Sequence, residues 1–185
     1  LFPTKNLGCA GDGGMVVTNS AVNAKKALML RNHGGIVRNV HKMIGYNSRL
    51  DEIQAAVLLE KIKIINRLNN SRKKIAKKYD DLINHQNITT PYRENHVDHV
   101  YHQYTLIVKN RVKFIKHMSS KHIPIGIYYP LPIYEQSALK KHIGKKYNLS
   151  HSKNICNQCV SIPIYPELTN DEVEFISDHI NKFSI

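Results

Sequence analysis

The stretch Gly-Tyr-Asn-Ser-Arg-Leu-Asp-Glu-Ile-Gln-Ala-Ala, residues 45–56, opens the longest segment of the chain that lacks a helix breaker. Neither glycine nor proline occurs between Gly45 and Pro91, and these two residue types most often end a helix. Through the same window apolar residues recur at steps of three, four and seven, which is the spacing of one helical face. They are Ile53, Val57, Ile64, Leu68, Ile75, Tyr79 and Leu82.

This pattern predicts a single helix of roughly 30 residues, with Ser48 or Asp51 as its N-cap. At a rise of about 1.5 Å per residue the helix would be about 45 Å long, which is enough to link two domains. The alternative is a hairpin of two helices that breaks near Asn69 and Asn70.

The segment before this helix combines a predicted strand with a predicted shorter helix. Residues 15–18 (Met-Val-Val-Thr) have the composition of a short buried strand. Asn19 and Ser20 can cap a helix over residues 21–32, and the run His-Gly-Gly at 33–35 would end it.

Beyond Pro91 the pattern changes to short elements that alternate between strand and helix. The predicted strands are residues 104–108 and 125–129, and the predicted helices are residues 112–122 and 152–159. Thr169 and Glu172 form the T-x-x-E capping box of a final helix. That helix runs through Val173, Ile176, Ile180 and Phe183. These elements predict a compact α/β unit of about 100 residues.

The chain is strongly basic. Its 185 residues include 27 Lys and Arg against 14 Asp and Glu, a formal net charge of +13. That sign fits a nucleic acid, an anionic membrane surface or a phosphorylated small molecule as partner. The basic residues concentrate at 72–78 and 140–146, with no nucleic-acid-binding motif beside them. We interpret both clusters as solvated helix faces, with contact to a polyanion as the alternative.

Neither a membrane nor a metal is predicted. No apolar run approaches the roughly 18 residues of a membrane span. The odd count of cysteines, Cys9, Cys156 and Cys159, without a visible secretory signal indicates a reducing, cytoplasmic location. Cys156 and Cys159 have C-x-x-C spacing. We interpret them as ordinary helical thiols, because a redox motif needs a helix N-terminus and a zinc site needs a second ligand pair.

Lys5 is the first candidate for chemistry. It lies in Phe-Pro-Thr-Lys-Asn-Leu-Gly, residues 2–8, just before the glycine-rich run at 11–14. A lysine fixed between a proline and such a turn can be partly desolvated, which favours its neutral, nucleophilic amine. The reaction that uses such an amine is Schiff-base formation with a carbonyl, as in pyridoxal phosphate enzymes.

Two other segments carry candidate binding residues. Asn47 supplies an amide donor and Arg49 a fork that matches phosphate or carboxylate, and both lie just before a helix N-terminus, where anions bind well. The alternative is that Arg49 pairs with the acidic residues that follow it and only orders the loop. Tyr128 and Tyr129 precede a proline and can line a pocket wall, although tyrosines are as often core residues.

Seven short segments follow one another along the chain. They are F-P-T-K-N-L-G, G-D-G-G, R-N-H-G, G-Y-N-S-R-L-D-x-x-Q-A-A, Y-H-Q-Y, G-I-Y-Y-P-x-P and S-I-P-x-Y-P-E-L-T. Together they resemble the DegT/DnrJ/EryC1/StrS family of sugar aminotransferases. The resemblance covers nearly the whole chain, and it is specific because unrelated motifs occur in the family's order and mutual spacing.

The resemblance implies an α/β fold, the fold-type I architecture of pyridoxal phosphate-dependent transferases. Residues 1–50 would be the C-terminal remnant of the large cofactor-binding domain, 51–85 the long interdomain helix and 86–185 the small C-terminal α/β domain. The family works as a homodimer with shared active sites. Its N-terminal half supplies the aspartate for the pyridine nitrogen, so we predict that the 185-residue chain alone has little or no transaminase activity.

The resemblance also implies a role for each candidate residue. Lys5 would hold the cofactor covalently and then act as general base and acid of the 1,3-proton shift. Asn47 would reach the cofactor phosphate of the neighbouring subunit, and Arg49 would approach the sugar-nucleotide substrate across the same interface. Tyr128 and Tyr129 would line the sugar pocket.

The implied reaction moves an amino group from an amino acid, most often glutamate, to a keto-sugar carried by a nucleoside diphosphate. Its product would serve cell-surface polysaccharide or other amino-sugar biosynthesis. Relatives that dehydrate the sugar usually have histidine in place of this lysine, so Lys5 favours transamination over a dehydratase of the same fold. The non-enzyme alternative is a truncated or degenerate relative that binds or regulates.

Overall fold

Helices and strands alternate along the chain in the computed structural model, which describes residues 1–139 and 149–184. They are α1 (Ala21–Arg31), α2 (Glu52–Leu82), β1 (Ile88–Thr89), β2 (Tyr104–Val108), α3 (Arg111–Ser119), α4 (Ser150–Gln158), β3 (Cys159–Ile162) and α5 (Asn170–Asn181), with a 3-10 turn at Ile133–Glu135. Internal contacts divide the chain into two units, Leu1–Asn66 and Arg67–Ile185. The first half of α2 belongs to one unit and its second half to the other.

The longest element is α2, a continuous helix of 31 residues. The predicted single helix is therefore confirmed, and the hairpin with a break near Asn69 and Asn70 is wrong. The Ala55 N–H donates to the carbonyl of Asp51 at 2.9 Å, so Asp51 stands directly before the first turn. Neither α2 nor any other helix of the described residues combines the length and apolarity of a membrane span.

The shorter helix α1 begins and ends at the predicted signals. The Ser20 hydroxyl accepts the Asn23 N–H at 3.3 Å, which is the N-cap arrangement. The chain leaves the helix after Arg31 and passes through His33, with φ 55°, and Gly34, with φ 82°. Both angles are left-handed, a conformation that glycine adopts without steric cost.

The strand predicted at residues 15–18 is wrong. The side chains of Met15, Val16 and Val17 are 70%, 77% and 84% exposed, and none of the described strands pairs with this segment. A strand forms only where a neighbour accepts its backbone hydrogen bonds. The apolar residues of the segment therefore form part of the surface of the first unit.

The second unit is built on an antiparallel sheet in the order β1-β2-β3. Ile88 of β1 pairs with Val108, and Tyr104 pairs with Ile162 of β3. Tyr104, Leu106 and Val108 are buried in alternation along β2, which confirms the predicted strand. The same core contains buried side chains of α2, α3, α5 and the residues that follow them, namely Ile75, Ala76, Tyr79, Ile83, Phe114, Met118, Val173, Ile176, Ile180 and Phe183.

The predicted helices of this unit are confirmed. α3 begins one residue before the predicted start at 112 and ends three residues before the predicted end, whereas α4 begins two residues early and ends at Gln158. The prediction of a helical thiol is therefore wrong for Cys159, which is the first residue of β3. The capping box of α5 is complete, since the Glu172 N–H donates to the Thr169 hydroxyl at 3.3 Å and the Thr169 N–H donates to the Glu172 carboxylate at 2.8 Å. The bonds from Thr169 hold the pKa of Glu172 below its ordinary value.

The second predicted strand, at residues 125–129, is also wrong. Only Gly126 pairs there, in an isolated antiparallel bridge with Ser161. Pro124 and Pro130 flank the segment, and a proline has no N–H to donate to a ladder. Pairing therefore stops after one bridge and leaves the following tyrosines outside the sheet.

The basic cluster at residues 72–78 is only partly the solvated helix face that we predicted. Arg72 is 7% exposed, and its Nη1 donates to the carbonyls of Ile164 at 2.7 Å and Tyr101 at 3.2 Å. Burial lowers the pKa of Arg72, and the charge of Glu167 opposes that shift. The solvated interpretation is thus wrong for Arg72, which is a core residue of the second unit. The second basic cluster, at residues 140–146, lies outside the described residues.

Replacing Arg72 with methionine is expected to destabilise the second unit by about 2 kcal/mol, because two buried carbonyls lose a charged donor while the apolar stem is kept. Urea unfolding followed by circular dichroism measures the loss. Lys74 is exposed on the same helix, so Lys74→Met is the matched control and should leave the midpoint unchanged. Equal midpoints for Arg72→Met and the parent chain would contradict the assignment.

Candidate functional site

Lys5 stands on a tight turn whose shape is fixed by backbone contacts. Its N–H donates to the carbonyl of Phe2 at 2.9 Å. A Cβ at Gly8 would lie 2.6 Å from the carbonyl oxygens of both Phe2 and Pro3, so only glycine permits this close approach. The turn leaves the Lys5 side chain exposed. The desolvation expected from the sequence therefore does not come from the described residues.

Cys9 links the two ends of the Lys5 turn through hydrogen bonds. Its N–H donates to the carbonyl of Leu1 at 2.9 Å, and its thiol lies 2.8 Å from the same carbonyl and 3.1 Å from that of Gly11. The Cys9 side chain is buried. Cys9 is thus a structural thiol that joins the two ends of the Lys5 turn.

Two residues of α2 hold the same turn, and neither was among the site residues predicted from the sequence. The Gln54 side-chain oxygen accepts the Ala10 N–H at 2.7 Å, and the Lys61 amine donates to the carbonyl of Gly8 at 2.7 Å. They are seven residues apart, which places both on one face of the helix. Gln54 lies inside the G-Y-N-S-R-L-D-x-x-Q-A-A segment, so that motif could have indicated its role. For Lys61 the only indication in the sequence is its spacing of seven residues from Gln54.

Asn47 and Arg49 lie on a segment attached to the end of α1. The Tyr46 N–H donates to the carbonyl of Leu30 at 2.7 Å, and the Ser48 N–H donates to that of Arg31 at 2.9 Å. The segment is therefore held by backbone bonds on both sides of Asn47, which fixes where the Asn47 and Arg49 side chains start.

The side chains of Asn47 and Arg49 contact each other. Arg49 Nε donates to the side-chain oxygen of Asn47 at 3.2 Å, and both residues are exposed. This bond leaves the Asn47 amide NH₂ as the group that can donate to an anion. Among the described residues no carboxylate forms an ion pair with Arg49. The alternative pairing with Asp51 or Glu52 is therefore not present.

An open groove of about 1100 Å³ runs beside this segment within the first unit. Its walls are residues 12–18, one face of α1 and residues 48–50, and its charged residues are Arg31, Arg49 and Asp12 on an otherwise largely apolar surface. Beyond Asp12, residues 13–50 contain six Lys and Arg and no Asp or Glu, so the basic residues outnumber the one carboxylate of the groove. The electrostatics of this part of the chain therefore favour an anionic ligand.

The described residues include groups that suit both the aldehyde and the phosphate of pyridoxal phosphate. Lys5 offers an exposed primary amine on a fixed turn, and such an amine can bind the aldehyde. The amide of Asn47 and the guanidinium of Arg49 are donors that suit a phosphate or a diphosphate. The described residues thus contain groups for the two ends of the cofactor.

Tyr128 and Tyr129 belong to the second unit, where they are 58% and 71% exposed. They border a small cavity of about 30 Å³ whose wall also includes Gln103, Thr105 and Ser161. The hydroxyl oxygens of Thr105 and Ser161 are 2.9 Å apart. The tyrosines are therefore surface residues beside polar groups, and the core alternative raised by the sequence is wrong.

A lysine turn, a long helix and a small α/β unit in this order define part of a fold-type I transferase, a class that depends on pyridoxal phosphate. The chain belongs to the DegT/DnrJ/EryC1/StrS aminotransferase family, whose model matches residues 1–181. The family and the fold class indicated by the sequence are thereby confirmed.

Individual relatives and a solved structure match nearly the whole chain. The chain is 35% identical over 186 residues to the pleiotropic regulatory protein of Geobacillus stearothermophilus, covering 99% of this chain and 50% of the relative. It is 33% identical over 182 residues to the UDP-N-acetyl-3-dehydro-alpha-D-glucosamine 3-aminotransferase of Acidithiobacillus ferrooxidans, covering 98% and 49%. The crystal structure of S. venezuelae DesV in complex with a ketimine intermediate matches with a TM-score of 0.92 at 32% identity, covering 98% and 49%. The chain spans about half the length of the curated relatives it matches.

Proposed function

We propose that this chain is the C-terminal half of a pyridoxal phosphate-dependent aminotransferase that moves an amino group from glutamate to a nucleoside-diphosphate keto-sugar. The observation that carries the proposal is the rigid turn that presents Lys5, supported from α2 by Gln54 and Lys61. The cofactor, when bound, supplies the electron sink that makes a proton on the amino-acid carbon removable.

Lys5 is the proton carrier of the proposed reaction. Its amine holds the cofactor, and once released it takes a proton from one carbon and returns it to another. Because the turn is fixed by the Phe2 carbonyl and by Gly8, the amine moves mainly through its own side-chain torsions. That arrangement suits a base that has to reach two carbons in a 1,3 relation.

Anion binding is the proposed role of Asn47 and Arg49. The Asn47 amide donates to the cofactor phosphate of a neighbouring subunit in a homodimer, and Arg49 binds the diphosphate of the sugar nucleotide across the same interface. Their exposure and the basic composition of residues 13–50 support both roles. Tyr128 and Tyr129 form the wall that contacts the sugar.

The direct test is turnover by the complete protein. It is loaded with pyridoxal phosphate and incubated with glutamate and a panel of UDP-linked and dTDP-linked keto-sugars, and the products are identified by mass spectrometry. Appearance of the aminated sugar together with 2-oxoglutarate supports the proposal. Loss of water from the sugar would instead indicate the dehydratase. Absence of any turnover in the loaded protein, across the panel and other amino donors, would indicate the degenerate relative.

A further inference from the structure

Gly126, in the G-I-Y-Y-P segment, is held firmly against the sheet of the second unit. Its N–H donates to the carbonyl of Ser161 at 2.9 Å, and its carbonyl accepts the Ser161 N–H at 2.8 Å. The Ser161 side chain is itself buried, with its hydroxyl 2.9 Å from that of Thr105 on β2. The backbone at position 126 therefore has a fixed place on the edge of β3.

A side chain at position 126 would collide with Tyr128. A Cβ built there lies 2.7 Å from Cε2, 3.0 Å from Cζ and 3.1 Å from the phenol oxygen of Tyr128, and these are its three nearest atoms. Among the described glycines only Gly34 has a positive φ, so the backbone at Gly126 does not itself require glycine. The space left by the missing side chain is occupied by the Tyr128 ring.

We infer that Gly126 is a positioning residue, which lets the Tyr128 ring lie against the backbone at position 126 and present its face to the sugar of the substrate. The inference rests on the proposed function. Gln103, Thr105 and Ser161 border the same small cavity as Tyr128. An aromatic face beside amide and hydroxyl groups is suited to a pyranose, whose C–H faces pack on a ring and whose hydroxyls form hydrogen bonds.

Alanine at position 126 should displace the ring without unfolding the unit. The groups it meets are at the outer end of an exposed side chain, which can rotate away. Without its aromatic face in place, the KM for the nucleotide sugar is expected to rise about tenfold. The half-reaction with glutamate involves no sugar and should keep its rate.

The experiment has two parts that use the complete protein. In the first, the chain is labelled with fluorotyrosine, and the ¹⁹F resonance of Tyr128 is assigned with Tyr128→Phe. Gly126→Ala should shift this resonance, whereas Gly14→Ala should not, because a Cβ at Gly14 meets no atom within 4 Å. An unchanged Tyr128 resonance in Gly126→Ala would overturn the inference whether or not the protein is an aminotransferase.

In the second part, the KM for the nucleotide sugar is measured for Gly126→Ala in the parent and in a Tyr128→Ala background. A tenfold effect in the parent and none in the Tyr128→Ala background supports the inference. The same effect in both backgrounds, or no effect in the parent, would overturn it. If the parent has no aminotransferase activity, the proposed function is wrong, and so is the proposed contact between Tyr128 and a sugar. The shift of the Tyr128 resonance in Gly126→Ala can still be measured in that case.

Discussion

Replacing Lys5 with alanine is expected to lower the kcat of the complete enzyme by about 10³-fold or more, because one amine both holds the cofactor and carries the proton. Lys5→Arg should lose as much, since a guanidinium keeps the positive charge but does not add to a carbonyl. The side chain is exposed, so in the cofactor-free protein either variant should change the free energy of unfolding by less than about 0.5 kcal/mol. Single-turnover measurements with glutamate and thermal unfolding of the same samples test both statements.

The matched control for Lys5 is Lys63, which is exposed on α2 and pairs only on the surface with Glu60, at 2.6 Å. Lys63→Ala should keep the parent kcat. Lys61 is a different case, since its amine holds the carbonyl of Gly8. If Lys5→Ala retained a tenth of the parent activity, Lys5 would not be the proton carrier, and the proposed mechanism would have to be abandoned.

Helices of this chain could be predicted from the sequence because their determinants are local. The Ser20 cap of α1 and the T-x-x-E box of α5 lie within a few residues of the bonds that they form, and the apolar spacing of α2 is visible within a few turns. Strands depend on neighbours elsewhere in the chain. Residues 15–18 and 125–129 have strand composition, yet the first has no partner strand among the described residues and the second pairs only at Gly126.

In the candidate site, too, local motifs could be predicted from the sequence and long-range contacts could not. Lys5, Asn47 and Arg49 could be selected from the sequence, because unusual residue types stand in short motifs. Their supports could not, since Gln54 and Lys61 act on a turn 44 and 53 residues away. The burial of Arg72 likewise depends on the carbonyl of Ile164, 92 residues later. No local pattern carries such long-range contacts, so a basic cluster looked like a solvated surface.

The second large effect is expected at Gly34, where the loop before Asn47 packs backbone against backbone. Gly34 has φ 82°, and a Cβ there would overlap the carbonyl oxygen of Met43. The Gly34 N–H also donates to the carbonyl of Met29 at 2.8 Å. An alanine would meet both a left-handed backbone and a fixed carbonyl, and the fragment of chain around it cannot move without breaking these bonds.

Gly34→Ala is therefore expected to destabilise the first unit by about 3 kcal/mol. Because Asn47, the proposed ligand of the cofactor phosphate, follows on the displaced loop, the Kd for pyridoxal phosphate in the complete protein should rise as well, by about tenfold. Urea unfolding and cofactor titration measure the two effects, with Gly14→Ala as the control for adding a methyl group in open space. A midpoint equal to that of the parent together with a raised Kd would mean that the loop changes its conformation locally without destabilising the unit. Parent values for both would show that the Gly34 contact does not hold the loop, and hence that Asn47 and Arg49 are positioned by the backbone bonds of Tyr46 and Ser48 to α1.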